Sequence, residues 1–327
     1  MHASFAAVAA HSECPQAGFE MSVAFISHAA CRLHHMGDGH PEQPARISAI
    51  ADQLHGRGLY DFLVHHDAPR ATVEQLARVH PRDHIERLSM RSPAEGLTFV
   101  DPDTAMCPDT LEAALRAAGA NVLATDLVLS GAVRRAFCNV RPPGHHAERA
   151  RAMGFCFFNN VAVGAAHALE AHGLERVAIL DFDVHLGNGT EDIFRDDQRV
   201  LLCSSYQYPL YPDMNPPSVP GHIVNCPLPP GAGSEVFRAA VSHHWLPALE
   251  AFAPQLLFIS AGFDAHASDP LAELALSTKD YAWITDVACA VAERHASGRV
   301  VSTLEGGYDL TALATSAATH IERLMAD

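Results

Sequence analysis

Apolar positions along this chain fall into short continuous runs, separated by longer stretches in which apolar residues recur at helical spacing. The runs predict six strands: Val23–Ser27, Ala136–Val140, Val177–Asp181, Val200–Ser204, Leu256–Ser260 and Val300–Leu304. Each is apolar at successive rather than alternate positions, as expected of strands covered on both faces in a parallel sheet. The helical spacing predicts Pro44–Leu54, Asp109–Leu129, Asn159–Ala171, Ser234–Phe252, Thr278–Ala296 and Leu310–Met325. Pro44 suits a first helical turn, and Gly131 and Gly173 suit helix ends. Strand and helix alternate without a break in composition, which predicts one doubly wound α/β domain over residues 21–327, a mainly parallel sheet flanked by helices. The Pro-rich segment Tyr206–Gly221 fits neither pattern and is expected to be a long functional loop. Residues 1–20 hold a short apolar run but no Lys or Arg to begin a signal peptide, and are expected to form a loose extension.

Composition narrows the function classes. The chain has 327 residues, 38 acidic and 22 basic, for a formal charge of −16. That balance argues against direct nucleic-acid binding through phosphates and is compatible with cationic substrates. No apolar stretch is long enough to span a bilayer, so no membrane association is expected. Eight cysteines without a C-x-x-C pair read as reduced thiols in a cytoplasmic protein. There is no G-x-S-x-G elbow, no G-x-x-x-x-G-K phosphate loop and no H-E-x-x-H. The 22 histidines are the compositional anomaly. The tandem pairs His34-His35, His65-His66 and His243-His244 are taken as ordinary surface residues.

In open parallel sheets ligands bind beyond the carboxyl ends of the strands. Here those ends carry RPPGHHA with His145 and His146, DFDVHLGNGT with Asp181, Asp183 and His185, Ser204 and Ser205, AGFDAH with Asp264, and EGGYDL with Tyr308. Asp183-x-His185 places a carboxylate and an imidazole on one side of an extended chain. With Asp264 they make three ligands for one divalent cation and leave a position for water or substrate, the arrangement of a catalytic centre. An O,N,O set favours Zn²⁺ and admits Fe²⁺. A lone Asp-x-His is more often a cap or an ion pair; the other strand ends decide against that here. Imidazole titrates near neutral pH and can act as base for water and acid for a leaving amine, which suits His145 and His146. Asp181 and Asn188 are placed to orient those imidazoles. Tyr308, after the turn Gly306-Gly307, can bring a phenol to an oxyanion.

Taken together, GHPEQPAR (39–46), RPPGHHA (141–147), GFCFFNN (154–160), DFDVHLGNGT (181–190), SAGFDAH (260–266) and EGGYDL (305–310) resemble the zinc-dependent histone deacetylase family. That family includes the acetylpolyamine amidohydrolases and has the arginase-like α/β fold. Asn188 and the Glu-Gly-Gly-Tyr stretch look like its class II branch and bacterial relatives. The resemblance implies Zn²⁺ on Asp183, His185 and Asp264, His146 as general base, His145 as electrostatic or acid partner, and Tyr308 on the oxyanion. It implies a substrate channel with Gly154, Phe155 and Gly306, with Arg46 on an internal acetate-release channel. An acidic residue at Asp101 or Asp103, with Asp103 preferred, would hold the substrate backbone. The second channel wall is open, because the motif departs around Tyr206–Tyr211. Structural potassium is implied at Asp181 and Ser204 with carbonyls of Asp183, His185 and Ser205, and a second at Phe194, Asp197, Val200 and His222. The expected partner is an acetylated lysine peptide or an acetylated polyamine, and a homo-oligomer is admitted. Two other classes stand beside this reading. A binuclear manganese ureohydrolase on the same fold needs more carboxylates than Gly187 and Asn188 offer. A non-catalytic acyl-ligand sensor has no use for His146 and Tyr308.

Overall fold

The computed structural model describes residues 22–326. The expected loose extension, residues 1–20, lies outside the described residues, as does Cys14. In chain order the strands are β1 Val23–Ser27, β2 Val64–Asp67, β3 Thr98–Asp101, β4 Thr104–Met106 and β5 Arg135–Cys138. They continue as β6 Val177–Asp181, β7 Val200–Gln207, β8 Ile223–Leu228, β9 Leu256–Ala261 and β10 Val300–Leu304. The helices are α1 Ala45–Gly56, α2 Val73–Leu76, α3 Arg82–Arg91, α4 Thr110–Ser130 and α5 Asn160–Glu170. After these come α6 Asn188–Phe194, α7 Ser234–Ala240, α8 Leu246–Phe252, α9 Thr278–His295 and α10 Leu310–Leu324. Eight strands form one sheet in the order β2-β1-β5-β10-β9-β6-β7-β8, and β3 and β4 form a separate antiparallel hairpin. Every pairing in the large sheet is parallel.

The fold class is as expected: a doubly wound α/β domain. Strands β5, β6, β7, β9 and β10 are buried at every residue, which is why their sequences read as continuous apolar runs. Each fully buried Val, Leu, Ile or Phe contributes about 1.5–3 kcal/mol of transfer free energy. Strand bounds differ in detail. The fifth strand starts at Arg135 and ends at Cys138, and β7 runs on through Gln207, into the segment expected to be irregular. The edge strands β2 and β8 escape the apolar pattern because they carry polar and exposed residues such as those of VHHD. Helix stops behave as expected at Gly131, which takes a left-handed φ of 77° after α4. The stretch 234–252 is α7, a wide π turn at Val241–Trp245, and α8, rather than one regular helix.

Connectivity sets the site. The chain passes from β5 to β6, lays β7 and β8 outward, and only then inserts β9 and β10 into the gap between β5 and β6. Because all strands are parallel, the carboxyl ends of β5, β10, β9 and β6 stand side by side on one edge.

Candidate active site and metal centre

Those four neighbouring strand ends bring together the residues singled out above. His145 and His146 follow β5, Tyr308 follows β10, Asp264 follows β9, and Asp183 and His185 follow β6. Asp181, Asp183 and Asp264 have no exposed surface, and His145, His146, His185 and Tyr308 are buried. Buried charge is tolerated only where partners satisfy it.

Asp183, His185 and Asp264 each direct one ligand atom to a common point, all within 4.8 Å of one another. His185 Nδ1 lies 3.1 Å from Asp183 Oδ1 and 3.2 Å from Asp264 Oδ2. Backbone donors hold the remaining oxygens: Gly306 N–H donates to Asp183 Oδ2 at 2.8 Å, and Val184 N–H to Asp264 Oδ1 at 2.9 Å. Of the carboxylate oxygens of Asp183 and Asp264, Asp264 Oδ2 is the one buried without a hydrogen-bond partner. An orphaned carboxylate oxygen beside a second carboxylate and an imidazole is the donor set a divalent cation fits. The carboxylates of Asp183 and Asp264 overcome the cost of burial and hold His185 up to about 10, a measure of how strongly the pocket demands positive charge. Gly306 is required by close approach: a Cβ there would stand 2.0 Å from Asp264 Oδ2.

The two histidines differ in environment. His145 Nδ1 meets Asp181 Oδ2 at 3.1 Å. Burial lowers its basicity, but Asp183 and Asp181 outweigh that and lift it well above the usual imidazole value. His146 Nδ1 meets the neutral Asn188 Oδ1 at 2.8 Å. Burial, then the neighbouring His145 and His185, hold it well below. The rings lie 4.0 Å apart, one facing a carboxylate and the other an amide.

A cavity of about 240 Å³ opens onto this centre, lined by Asp103, His146, Gly154, Phe155, His185, Leu210, Tyr211, Leu271 and Tyr308. Its second wall, left open by sequence, comes from Leu210 and Tyr211 beyond β7. The Tyr211 ring stands edge-on to His146 at 5.1 Å. Phe155 is held at φ 68° after Gly154 and packs against Tyr308 at 6.1 Å and against His40 at 4.7 Å. His40, from the stretch GHPEQPAR, thus braces one wall. Asp103, on the hairpin, accepts from Gly154 N–H at 3.2 Å, whereas Asp101 is paired with Arg151 at 2.8 Å.

Arg46, implied to lie on an internal channel rather than in this cavity, is fully buried behind it, donating to Gly307 O at 2.7 Å with its guanidinium 5.0 Å from the Tyr308 ring centre. Gly306 serves the ligands through its N–H and its lack of a side chain. One placement departs from expectation. His34 is not a surface residue. It is wholly buried, 3.3 Å from Glu42, the same carboxylate that binds Arg46 and Arg141, because a fully buried Glu needs several donors. His65, His243 and His244 are exposed as expected. Of the residues considered for potassium, Ser204 Oγ is buried with no hydrogen-bond partner, while the Asp197 carboxylate is taken by Arg199 at 2.8 Å. Phe194, Asp197 and Val200 form one turn, with N–H to carbonyl bonds of 3.0 and 3.1 Å, and His222 packs beside it on Arg195 O at 2.8 Å.

Sequence reasoning passed over three carboxylates. Glu305 accepts from Gly144 N–H at 2.7 Å and His145 N–H at 3.1 Å; burial pushes it up to about 7. Asp269 accepts from Tyr308 N–H at 2.7 Å and Leu271 N–H at 3.0 Å, so one side chain ties the phenol's backbone to the cavity rim. The third is Glu42. Glu42 and Glu305 lie inside the stretches GHPEQPAR and EGGYDL, but their roles depend mainly on partners distant in sequence; Asp269 lies in none of the quoted stretches. A second His-Asp cluster, Asp126 with His167 and His172, is a closed hydrogen-bond set: both Nε2 atoms meet Asp126 Oδ1 at 2.7 Å, and Arg78 donates to His167 Nδ1.

Comparison with known proteins gives a consistent result. Residues 40–324 match the histone deacetylase domain. A histone deacetylase-like amidohydrolase from Pseudomonas aeruginosa is 41% identical, covering 83% of this chain and 73% of that protein. A probable deacetylase from Archaeoglobus fulgidus is 38% identical over 89% of this chain and 82% of that one. The human polyamine deacetylase HDAC10 is 36% identical over 88% of this chain, but only 45% of its own length is covered. Among solved structures, the HD domain of HDA15 superposes with a TM-score of 0.88 at 32% identity, covering 94% of this chain and 89% of that one.

Proposed function

The chain belongs to the histone deacetylase family of zinc-dependent hydrolases, and from that premise we propose that it deacylates an acylated lysine side chain. One observation carries this choice of substrate. The cavity over the His pair is walled by Phe155, Tyr211, Leu210 and Leu271, and among the described residues Asp103 is the only carboxylate lining it. Such walls suit an alkyl chain, with Asp103 at hand for a substrate N–H. A polyamine would need more negative partners along its length.

Asp183, His185 and Asp264 would hold the zinc ion. When bound there, zinc supplies Lewis-acid polarisation of the amide carbonyl and acidifies water. His146, neutral in its setting, takes a proton from the attacking water. His145, cationic beside Asp181, stabilises developing negative charge and stands by as proton source for the leaving amine. Burial keeps the Tyr308 phenol well above its ordinary value, so it stays protonated and donates to the oxyanion. The reading includes structural potassium at Asp181 and Ser204 with the carbonyls of Asp183, His185 and Ser205; the orphaned Ser204 hydroxyl supports it.

The test compares kcat/KM on acetyl-lysine peptides, longer acyl-lysines and acetylpolyamines, alongside metal analysis for zinc against iron. Acyl-lysine peptides are expected to lead. Chelation is expected to stop turnover, and Tyr308→Phe to lower kcat about a hundredfold or more. Higher kcat/KM on acetylpolyamines would overturn the substrate choice, and no turnover of any acylated amine with zinc loaded would overturn the whole reading.

A further inference from the structure

The Asn188 amide that meets His146 has a second partner. Its Nδ2 donates to Glu148 Oε1 at 2.8 Å and also faces Met153 Sδ at 3.4 Å. A carboxylate and a thioether can only accept. Together they hold the NH₂ on their side, which leaves Asn188 Oδ1 towards His146 Nδ1, 2.8 Å away. An amide oxygen also only accepts, so His146 Nδ1 must carry the hydrogen, and the lone pair falls on Nε2.

We propose that Glu148 is a positioning residue that fixes the tautomer of His146 through Asn188; the inference rests on the deacetylase reading. The contrast with His145 gives the physical reason for an intervening amide. Asp181 touches His145 directly and supplies both orientation and charge. Glu148 supplies orientation alone, since its charge sits one residue further from the ring and attraction falls with distance. Without an acceptor at position 148 only the weak Met153 Sδ acceptor at 3.4 Å still favours the observed amide orientation, and the flipped one becomes populated. The flipped one donates to Nδ1 and drives the hydrogen to Nε2, the nitrogen that must be free to act as base. Glu148 follows the His pair by two residues, and its own N–H is engaged by Arg151 O at 2.9 Å, so substitution of the side chain leaves that turn its backbone bond.

The experiment uses the zinc-loaded full chain and the variants Glu148→Ala, Glu148→Leu and Glu148→Gln. Long-range ¹H–¹⁵N correlations report the His146 tautomer directly, and steady-state kinetics on an acetyl-lysine peptide report kcat and KM separately. Wild type and Glu148→Gln, whose amide oxygen can still accept, are expected to show Nδ1–H. The Ala and Leu variants are expected to gain the Nε2–H form and to lose about tenfold or more in kcat, KM staying within about twofold. Zinc content should match wild type throughout. Retention of pure Nδ1–H in the Ala and Leu variants would overturn the proposal, as would an equal kcat loss in Glu148→Gln. If the wild-type chain deacylates nothing, the functional reading fails, yet the tautomer comparison still decides the role of Glu148.

Discussion

At Gly306 one missing atom separates a metal centre from a blocked one. A Cβ there would sit 2.0 Å from Asp264 Oδ2 and 2.7 Å from Asp183 Oδ2, so Gly306→Ala must push one carboxylate away. We expect the variant to fold and to hold less than half the wild-type zinc by elemental analysis; stoichiometric zinc would contradict this. Asp269 acts at the same scale. Asp269→Ala removes the acceptor for Tyr308 and Leu271 N–H groups and is expected to lower kcat about tenfold without loss of zinc. The clustering of the candidate ligands and the His pair was legible in the sequence, because each follows a buried apolar run in a compact motif. The roles of Asp269, Glu305 and Glu42 were not, because the groups that define them, Tyr308 N–H, Gly144 N–H and Arg141, come from elsewhere in the chain. The Tyr211 wall was hidden for another reason: the segment holding it has no periodicity from which a direction could be read.

Among the elements, the central strands were legible and the edges were not, for one physical reason. A strand sandwiched between helices must be apolar on both faces, whereas β2 and β8 have a face or an edge to spare for polar residues. Helix α3, Arg82–Arg91, buries only His84, Ile85 and Leu88, too few to stand out among its charges. The π turn between α7 and α8 was invisible because it preserves helical composition. It seats Trp245, which has no exposed surface. Trp245→Ala should therefore cost about 3–5 kcal/mol in denaturant unfolding. Activity per folded molecule should hardly change, since Trp245 does not line the cavity over the His pair.

Across the whole molecule, buried ionisable groups set the response to acid. Burial lowers His80 and His320 to about 3, so each stays neutral when folded but takes a proton when unfolded. Their contribution to stability is present above pH 6.5 and is lost as pH falls towards 3. Glu305 and Asp269, raised to about 7, act in the opposite sense: the folded state holds their protons more tightly, so they favour it as pH falls through 7. The two effects oppose each other down to the ordinary carboxylate range. Below about pH 4 Glu305 and Asp269 are protonated in both states, while the two imidazoles and the carboxylates held low by their partners, such as Glu42 beside Arg141 and His34, lose stabilisation together, so stability should drop steeply there. Urea midpoints measured between pH 7 and 3 would reveal the break. For His320→Asn the slope between about pH 5.5 and 4 should shrink by about 1.3 kcal/mol per pH unit, and by less towards pH 3, where the folded state takes the proton too. Among the described residues, no helix is long and apolar enough to cross a membrane.

The late insertion of β9 and β10 gives the enzyme a built-in order of assembly. A chain emerging from the ribosome presents β5 and β6 before the strands that lie between them, with the histidines on one and Asp183 and His185 on the other, and with neither Asp264 nor Tyr308. Asp264 and Tyr308 arrive with the strands that close the seam. A nascent chain therefore has no partial activity to lose or misuse. Zinc retained by ribosome-bound chains of increasing length should rise in a single step, once the segment beyond residue 264 has cleared the exit tunnel, and turnover should begin only after residue 308 has followed.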